Sequence, residues 1–286
     1  MSGIAVNNIN YRVAKKQILK DISFHVEPGN VLAILGRNGA GKTSLFELMT
    51  NIIHTNGGSI AYNGKKTFSS AKANIGVLWD DLNLFPLLKV KEVVRYTQSM
   101  LSVKEFPVKF WELLELGAIE NEKMEKLSRG EKKRVEILLA TMHNPDFLLL
   151  DEPTSELDPL IRERIWNNIL LREGRTIVFS THQWEEASSY ANNIGFLFNG
   201  KLLNQPKSES ELLGQYGFVK KVAVDILLEI EASNDIFQYA TDQHNIYLLK
   251  HNELDFIQFV KNQVQNYSVL PVQLKDIYQF LITKAS

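Results

Sequence analysis

The sequence predicts an α/β fold in which a parallel sheet carries a phosphate-binding loop, with an antiparallel β portion and a helical portion attached. Three observations predict it. The run Gly36-Arg37-Asn38-Gly39-Ala40-Gly41-Lys42-Thr43 fits the pattern GxxxxGK[ST]; it follows the apolar run 31–35 and precedes Ser44-Leu45-Phe46-Glu47-Leu48-Met49, which has helical character. Continuous apolar runs recur at Phe147-Leu148-Leu149-Leu150 and Thr176-Ile177-Val178-Phe179-Ser180, the mark of strands buried on both faces. Segments with apolar residues at three- and four-residue spacing stand between the strands.

Taken in order, residues 4–10 and 17–27 read as strands, because Ile22, Phe24 and Val26 alternate with Asp21, Ser23, His25 and Glu27 as in a half-buried antiparallel strand. Pro28-Gly29 turns into the buried strand 31–35. Gly57-Gly58 and Asn63-Gly64 bracket a short antiparallel strand, 59–62, and Ile75-Gly76-Val77-Leu78-Trp79 forms another strand. Helical spacing then covers 89–101, 108–116 and 128–143. A helix over 159–171 lies between the two buried runs, and a helix over 184–191 leads to the strand 194–198, which Asn199-Gly200 folds into a hairpin. Pro206, Ser208, Ser210 and Gly214 mark a linker over 204–215. Beyond it come strand candidates at 221–230, 245–250 and 268–272 and helix candidates at 253–265 and 274–283, a small α+β appendage.

Length and composition narrow the classes. A chain of 286 residues with 44% hydrophobic content accommodates one large domain and a smaller one. Net charge is −1 and the isoelectric point about 6.6, which argues against electrostatic gripping of nucleic acid. There are no cysteines, so neither disulfides nor thiolate metal sites are available. No apolar run approaches the roughly 18 residues that span a bilayer, and the first residues lack the charged-then-apolar layout of a signal peptide. A cytoplasmic chain is expected, with any membrane role exercised through a partner.

The phosphate loop is the chemical centre. Its glycines allow a tight turn whose N–H groups point at phosphate oxygens, and the helix that starts near Gly41 adds the positive end of its dipole. Gly36, Asn38, Gly39, Ala40, Gly41, Lys42, Thr43 and Ser44 therefore form the expected nucleotide-binding set, with Lys42 reaching the outer phosphates and the Thr43 hydroxyl ligating Mg²⁺. Such a loop alone serves kinases, small GTPases, helicases and transport ATPases.

Four stretches separate these. Leu127-Ser128-Arg129-Gly130-Glu131 precedes a helix, and Ser128 suits an N-cap. It resembles the LSGGQ motif of ATP-binding cassette (ABC) ATPases, with Arg129 in place of a glycine and Glu131 in place of the glutamine. The strand ending in Asp151-Glu152 resembles a Walker B strand; Ser155-Glu156-Leu157-Asp158 resembles the family's D-loop, although Asp158 also suits a plain helix cap; and His182 resembles the switch histidine. In this order and spacing they identify residues 4–205 as resembling an ABC nucleotide-binding domain, with its RecA-like parallel sheet, antiparallel β subdomain and helical subdomain at about 85–143. Residues 206–286 form the accessory domain.

The resemblance implies roles. Asp151, with Thr43, would hold Mg²⁺; Glu152 would be the general base, with His182 and Lys42 on the γ-phosphate; Ser128 and Gly130 would contact the nucleotide of a second nucleotide-binding subunit, identical or different. Tyr11 would stack on adenine. Asp80 stands where the family keeps a glutamine that contacts Mg²⁺ and the attacking water. ATP and Mg²⁺ are the implied ligands. The implied partner is an integral membrane permease, reached by a peripheral subunit on the cytoplasmic face of the membrane through residues 82–88 and the helices from Lys89 to Leu116. The stretch from Leu270 to Tyr278 resembles the "-SLEDVF-" ending of ABC-2-type exporter subunits, which implies an exporter of drugs, peptides or lipid-linked glycans rather than an importer, with peptides or drugs the expected cargo. The competing expectations are a soluble ABC ATPase without a transporter and a regulatory, low-activity subunit, the latter motivated by Asp80, Arg129 and Glu131.

Overall fold

The structure is a computed structural model describing residues 3–64, 67–80, 85–228, 230, 235–250 and 254–285. It divides into two compact units, Met1–Pro206 and Lys207–Ser286.

In the first unit, β1 (Ile4–Val13), β2 (Lys16–Val26) and β4 (Gly57–Tyr62) form an antiparallel sheet in the order β2-β1-β4. Ile22, Phe24 and Val26 point into the core, as their alternation predicts. A second sheet has the order β5-β6-β7-β3-β8-β9, from β3 (Val31–Leu35), β5 (Ile75–Leu78), β6 (Phe147–Asp151), β7 (Thr176–Thr181), β8 (Asn193–Phe198) and β9 (Lys201–Leu202). It is parallel from β5 to β8 and antiparallel at β9. Strands β3, β6 and β7 are buried along their whole length, which accounts for their unbroken apolar runs. β5 ends at Leu78, one residue short of the expected Trp79.

Helix α1 (Lys42–Met49) follows the phosphate loop, and the short α2 (Phe68–Ala71) follows β4. The helical portion holds α3 (Val90–Met100), α4 (Val108–Leu113) and α5 (Arg129–Thr141). α5 lies directly on β5: a Cβ at Gly76 would stand 2.1 Å from the Ala140 carbonyl oxygen, a distance only glycine permits. α6 (Pro159–Ile165) passes into a π-turn over Trp166–Leu170 rather than staying α-helical to residue 171. α7 (Trp184–Tyr190) precedes β8.

In the second unit the linker expectation is overturned for half its length. Ser208 caps α8 (Glu209–Gln215), accepting from Glu211 N at 3.3 Å while its own N–H donates to Glu211 Oε2 at 2.9 Å. The appendage is a four-stranded antiparallel sheet in the order β11-β12-β10-β13, from β10 (Lys220–Val224), β11 (Ile236–Ala240), β12 (Asn245–Leu249) and β13 (Tyr267–Leu270), with α9 (Leu254–Gln263) and α10 (Leu274–Ala285). Strand β11 has no counterpart among the sequence candidates. The candidate at 221–230 stops at Val224, with residue 229 outside the described residues, as is residue 253 of the first helix candidate. Val222, Val224, Tyr247, Leu249, Phe256 and Val260 make this unit's own core.

Candidate functional site

The site forms where β3, β6 and β7 end, the edge at which parallel α/β sheets bind ligands. β3 delivers the phosphate loop. Gly41, at φ 109°, caps α1 in a conformation that side chains rarely adopt, and this turns the loop back over the helix start. Lys42, the first helical residue, folds back so that its Nζ donates to Gly36 O at 2.8 Å. A cavity of about 420 Å³ opens here, lined by Ile18, Asn38, Gly39, Gly41, Lys42, Thr43, Ser44, Asp80, Asp151 and Glu152. Gly36 and Ala40 stand behind the loop, where Ala40 O accepts from Gly200 N at 3.0 Å.

β6 delivers the acids. Asp151 is buried; its Oδ2 accepts from Thr43 Oγ1 at 2.8 Å and its Oδ1 from the Ser180 hydroxyl. The Asp151 carboxyl is raised above its ordinary value, chiefly by burial and also by the charges of Glu152 and Asp80, and these two hydroxyls only partly oppose the shift. The buried Glu152 side chain lies between two partners, Lys42 Nζ at 3.3 Å from Oε1 and His182 Nδ1 donating to Oε2 at 2.8 Å. The Glu152 backbone sits at φ 50°, in the left-handed region that few non-glycine residues occupy. Its N–H donates to Ser180 O at 3.2 Å and Ser180 Oγ at 3.1 Å, which holds it there. Ser180 thus organises both acids, a role its place at the end of an apolar run does not announce.

Other expected residues lie elsewhere. Ser128 and Gly130 are not among the residues lining the cavity. Ser128 caps α5 in a reciprocal box with Glu131: its N–H donates to Glu131 Oε2 at 2.8 Å, its hydroxyl donates there at 2.7 Å, and it accepts from Glu131 N at 3.3 Å. Arg129 Nη1 reaches Glu156 Oε1 at 3.1 Å, which joins the Ser128 turn to the Ser155–Asp158 loop. Asp158 caps α6, accepting from Leu160 N at 3.1 Å and Ile161 N at 3.0 Å. Tyr11 is half-buried on β1 opposite Leu19 and packs on the core; on this side the cavity wall is Ile18. Asp80, expected among the Mg²⁺ ligands, lines the cavity but pairs with Lys133, whose Nζ is 3.7 Å from its Oδ1. Of the expected permease-facing segment, residues 82–84 lie outside the described residues.

A phosphate loop with this arrangement of lysine, hydroxyl and paired acids defines a P-loop ATPase. Residues 19–155 match a family model described as "ABC transporter". The chain is 35% identical over 208 residues to the Nod factor export ATP-binding protein I of Burkholderia thailandensis, covering 69% of this chain and 68% of that protein. It is 31% identical over 210 residues to the linearmycin resistance ATP-binding protein of Bacillus subtilis, covering 70% and 68%. A solved structure of an ATP-binding subunit of an ABC transporter superposes with a TM-score of 0.69 at 21% identity, over 76% of this chain and 94% of that one. The chain belongs to the ABC transporter ATP-binding proteins, and it is an ATP-binding, ATP-hydrolysing subunit of that family.

Proposed function

We propose that this protein is the ATPase subunit of an exporter, working as a pair of cassettes that close on ATP beneath a separate membrane permease. The observation that carries the reading is the convergence of Lys42, Thr43, Asp151 and Glu152 on one cavity at the sheet edge, with His182 bonded to Glu152 behind them. ATP places its phosphates against the loop amides and the α1 N-terminus. Lys42, whose ammonium is shared between Gly36 O and Glu152, turns to the outer phosphates, which exchanges one anionic partner for another. That frees Glu152 to orient and deprotonate the attacking water, with His182 fixing the carboxylate and facing the γ-phosphate.

Thr43 Oγ1 and Asp151 Oδ2 offer adjacent hard oxygen donors, a set that fits Mg²⁺, which usually takes one or two protein ligands and fills its shell with phosphate and water. When bound, the ion neutralises charge on the transferring phosphoryl group. Ser180 keeps the Asp151 carboxylate aimed at the position beside Thr43.

Ser128 and Gly130 stand apart from the cavity of their own chain, which supports sites completed by the α5 N-terminus of a second subunit, identical or different. Arg129 and Glu156 sit together on that surface. For the permease, Phe85 and Tyr96 meet edge-to-face at 5.2 Å, and Leu87, Tyr96 and Met100 are well exposed, an apolar surface on and before α3 suited to a protein partner. No helix among the described residues is long and apolar enough to cross a membrane. The proposed reading gives the spanning part to the partner and places this subunit at the cytoplasmic face. The relatives' names, with Nod factor export and linearmycin resistance among them, support export; drugs or peptides are the proposed cargo. Purification from detergent extracts tests the assembly. An integral membrane protein should accompany the chain, and recovery with ribosomes or DNA instead would remove the exporter reading.

A further inference from the structure

Lys133 lies on α5, five residues past the Ser128 cap, and only 2% of it is exposed. A buried ammonium must be compensated on every side to be tolerated. Its Nζ donates to Trp79 O at 3.3 Å and to Asp80 O at 3.2 Å, and it stands 3.7 Å from Asp80 Oδ1 and 3.9 Å from Glu136 Oε2. Three of these contacts lie just beyond the end of β5; the fourth is one turn along its own helix. The backbone contacts are hydrogen bonds, and the carboxylate contacts are ion pairs at longer range.

The two carboxylates differ in exposure. The Glu136 side chain is 8% exposed, whereas that of Asp80 is 53% exposed and lines the phosphate cavity. Lys133 therefore keeps one carboxylate within the protein and shares the other with the nucleotide site. The cavity wall already carries Asp151 and Glu152, with Lys42 as the lysine that lines it. A further carboxylate at its rim would repel a triphosphate unless a cation stood behind it, and close charges in a partly buried site are weakly screened. A glutamine at position 80 would be neutral. The Lys133 ammonium offsets Asp80 at the cavity, while its second carboxylate partner, Glu136, is not among the residues lining it.

We propose that Lys133 is a positioning residue of the ATP site. Its ammonium balances Asp80 beside the nucleotide phosphates and ties that carboxylate to α5, the helix whose first turn meets the partner's nucleotide. This rests on the ATP-site reading above. α5 also packs directly on β5 at Gly76, so the Asp80–Lys133 pair joins two elements already in close contact. Should Asp80 turn towards the nucleotide, Lys133 retains Glu136 and the two carbonyls, so the exchange leaves no buried charge uncompensated.

The test is a charge-balance cycle read by equilibrium MgATP binding, with melting temperature measured alongside. Lys133→Gln should weaken MgATP by about tenfold, within the range of coupling between residues in contact, and raised salt should recover part of the loss. Lys133→Arg should stay near the wild type. Asp80→Gln/Lys133→Gln should return to within about threefold of it, because the carboxylate that needed balancing is gone. Three results would overturn the proposal: Lys133→Gln binding like the wild type, losses in the double variant that simply add, or a loss that follows melting temperature and is restored by neither Arg nor the second substitution. Lys42→Ala serves as the control. If it binds MgATP as tightly as the wild type, the ATP-site reading itself fails; if it loses binding while Lys133→Gln does not, only the present inference fails.

Discussion

At the scale of single residues, Glu152 and Glu131 are carboxylates set to different tasks by their surroundings. Glu152 is buried between Lys42 and His182 on a left-handed backbone pinned by Ser180. Strain of that kind persists only where neighbours over-determine it. Glu131 is half-buried at the start of α5, and the Ser128 hydroxyl and N–H hold its carboxyl below the usual carboxylate range. A folded-state pKa below the unfolded one means that stability is present above the ordinary carboxylate pKa and is lost as pH falls through the depressed value. The wild type should therefore exceed Glu131→Gln in urea midpoint near neutral pH, and the gap should close as pH drops below about 4. A gap that is constant down to strongly acid pH would show that the carboxylate contributes nothing through its charge.

Secondary-structure elements show what a sequence carries and what it does not. Lys42, Thr43, Asp151, Glu152 and His182 were legible because each ends or follows an apolar run that had to be a buried strand, so their convergence follows from strand adjacency. Ser180 and Lys133 were not. Their partners lie 28 and 53 residues away, and no local pattern distinguishes them from any polar residue beside a strand or in a helix. The 204–215 linker failed because Pro206, Ser208 and Gly214 outweighed the Ser208–Glu211 cap. In the appendage, Asp276 is fully buried at the start of α10. It accepts from Gln273 N at 2.7 Å, from Lys221 Nζ at 3.0 Å and from the Tyr239 hydroxyl, which gives a structural reason for an acid in the "-SLEDVF-"-like stretch. Tyr239 lies on β11, the strand missing from the sequence candidates, so the network could not be anticipated. Asp276→Ala strands a buried lysine and should cost this unit about 3–5 kcal/mol, seen as an early calorimetric transition. A thermogram unchanged from the wild type would deny the network that weight.

For the whole molecule, the account joins two structural facts. Each chain holds a cavity with the lysine, the hydroxyl and the acids that phosphoryl transfer to water needs, and each presents the Ser128 turn on a separate surface. On the proposed reading, a subunit built this way would hydrolyse ATP when a second cassette closes over it, and closure and reopening would be the movement a permease can use. Glu152→Gln tests this most directly, because the amide keeps the shape and loses the base. With MgATP, the variant should retain nucleotide, lose turnover by about 10²–10⁴-fold, and accumulate as a dimer in size-exclusion chromatography with light scattering. Hydrolysis at the wild-type rate, or a monomer at saturating MgATP, would contradict the account.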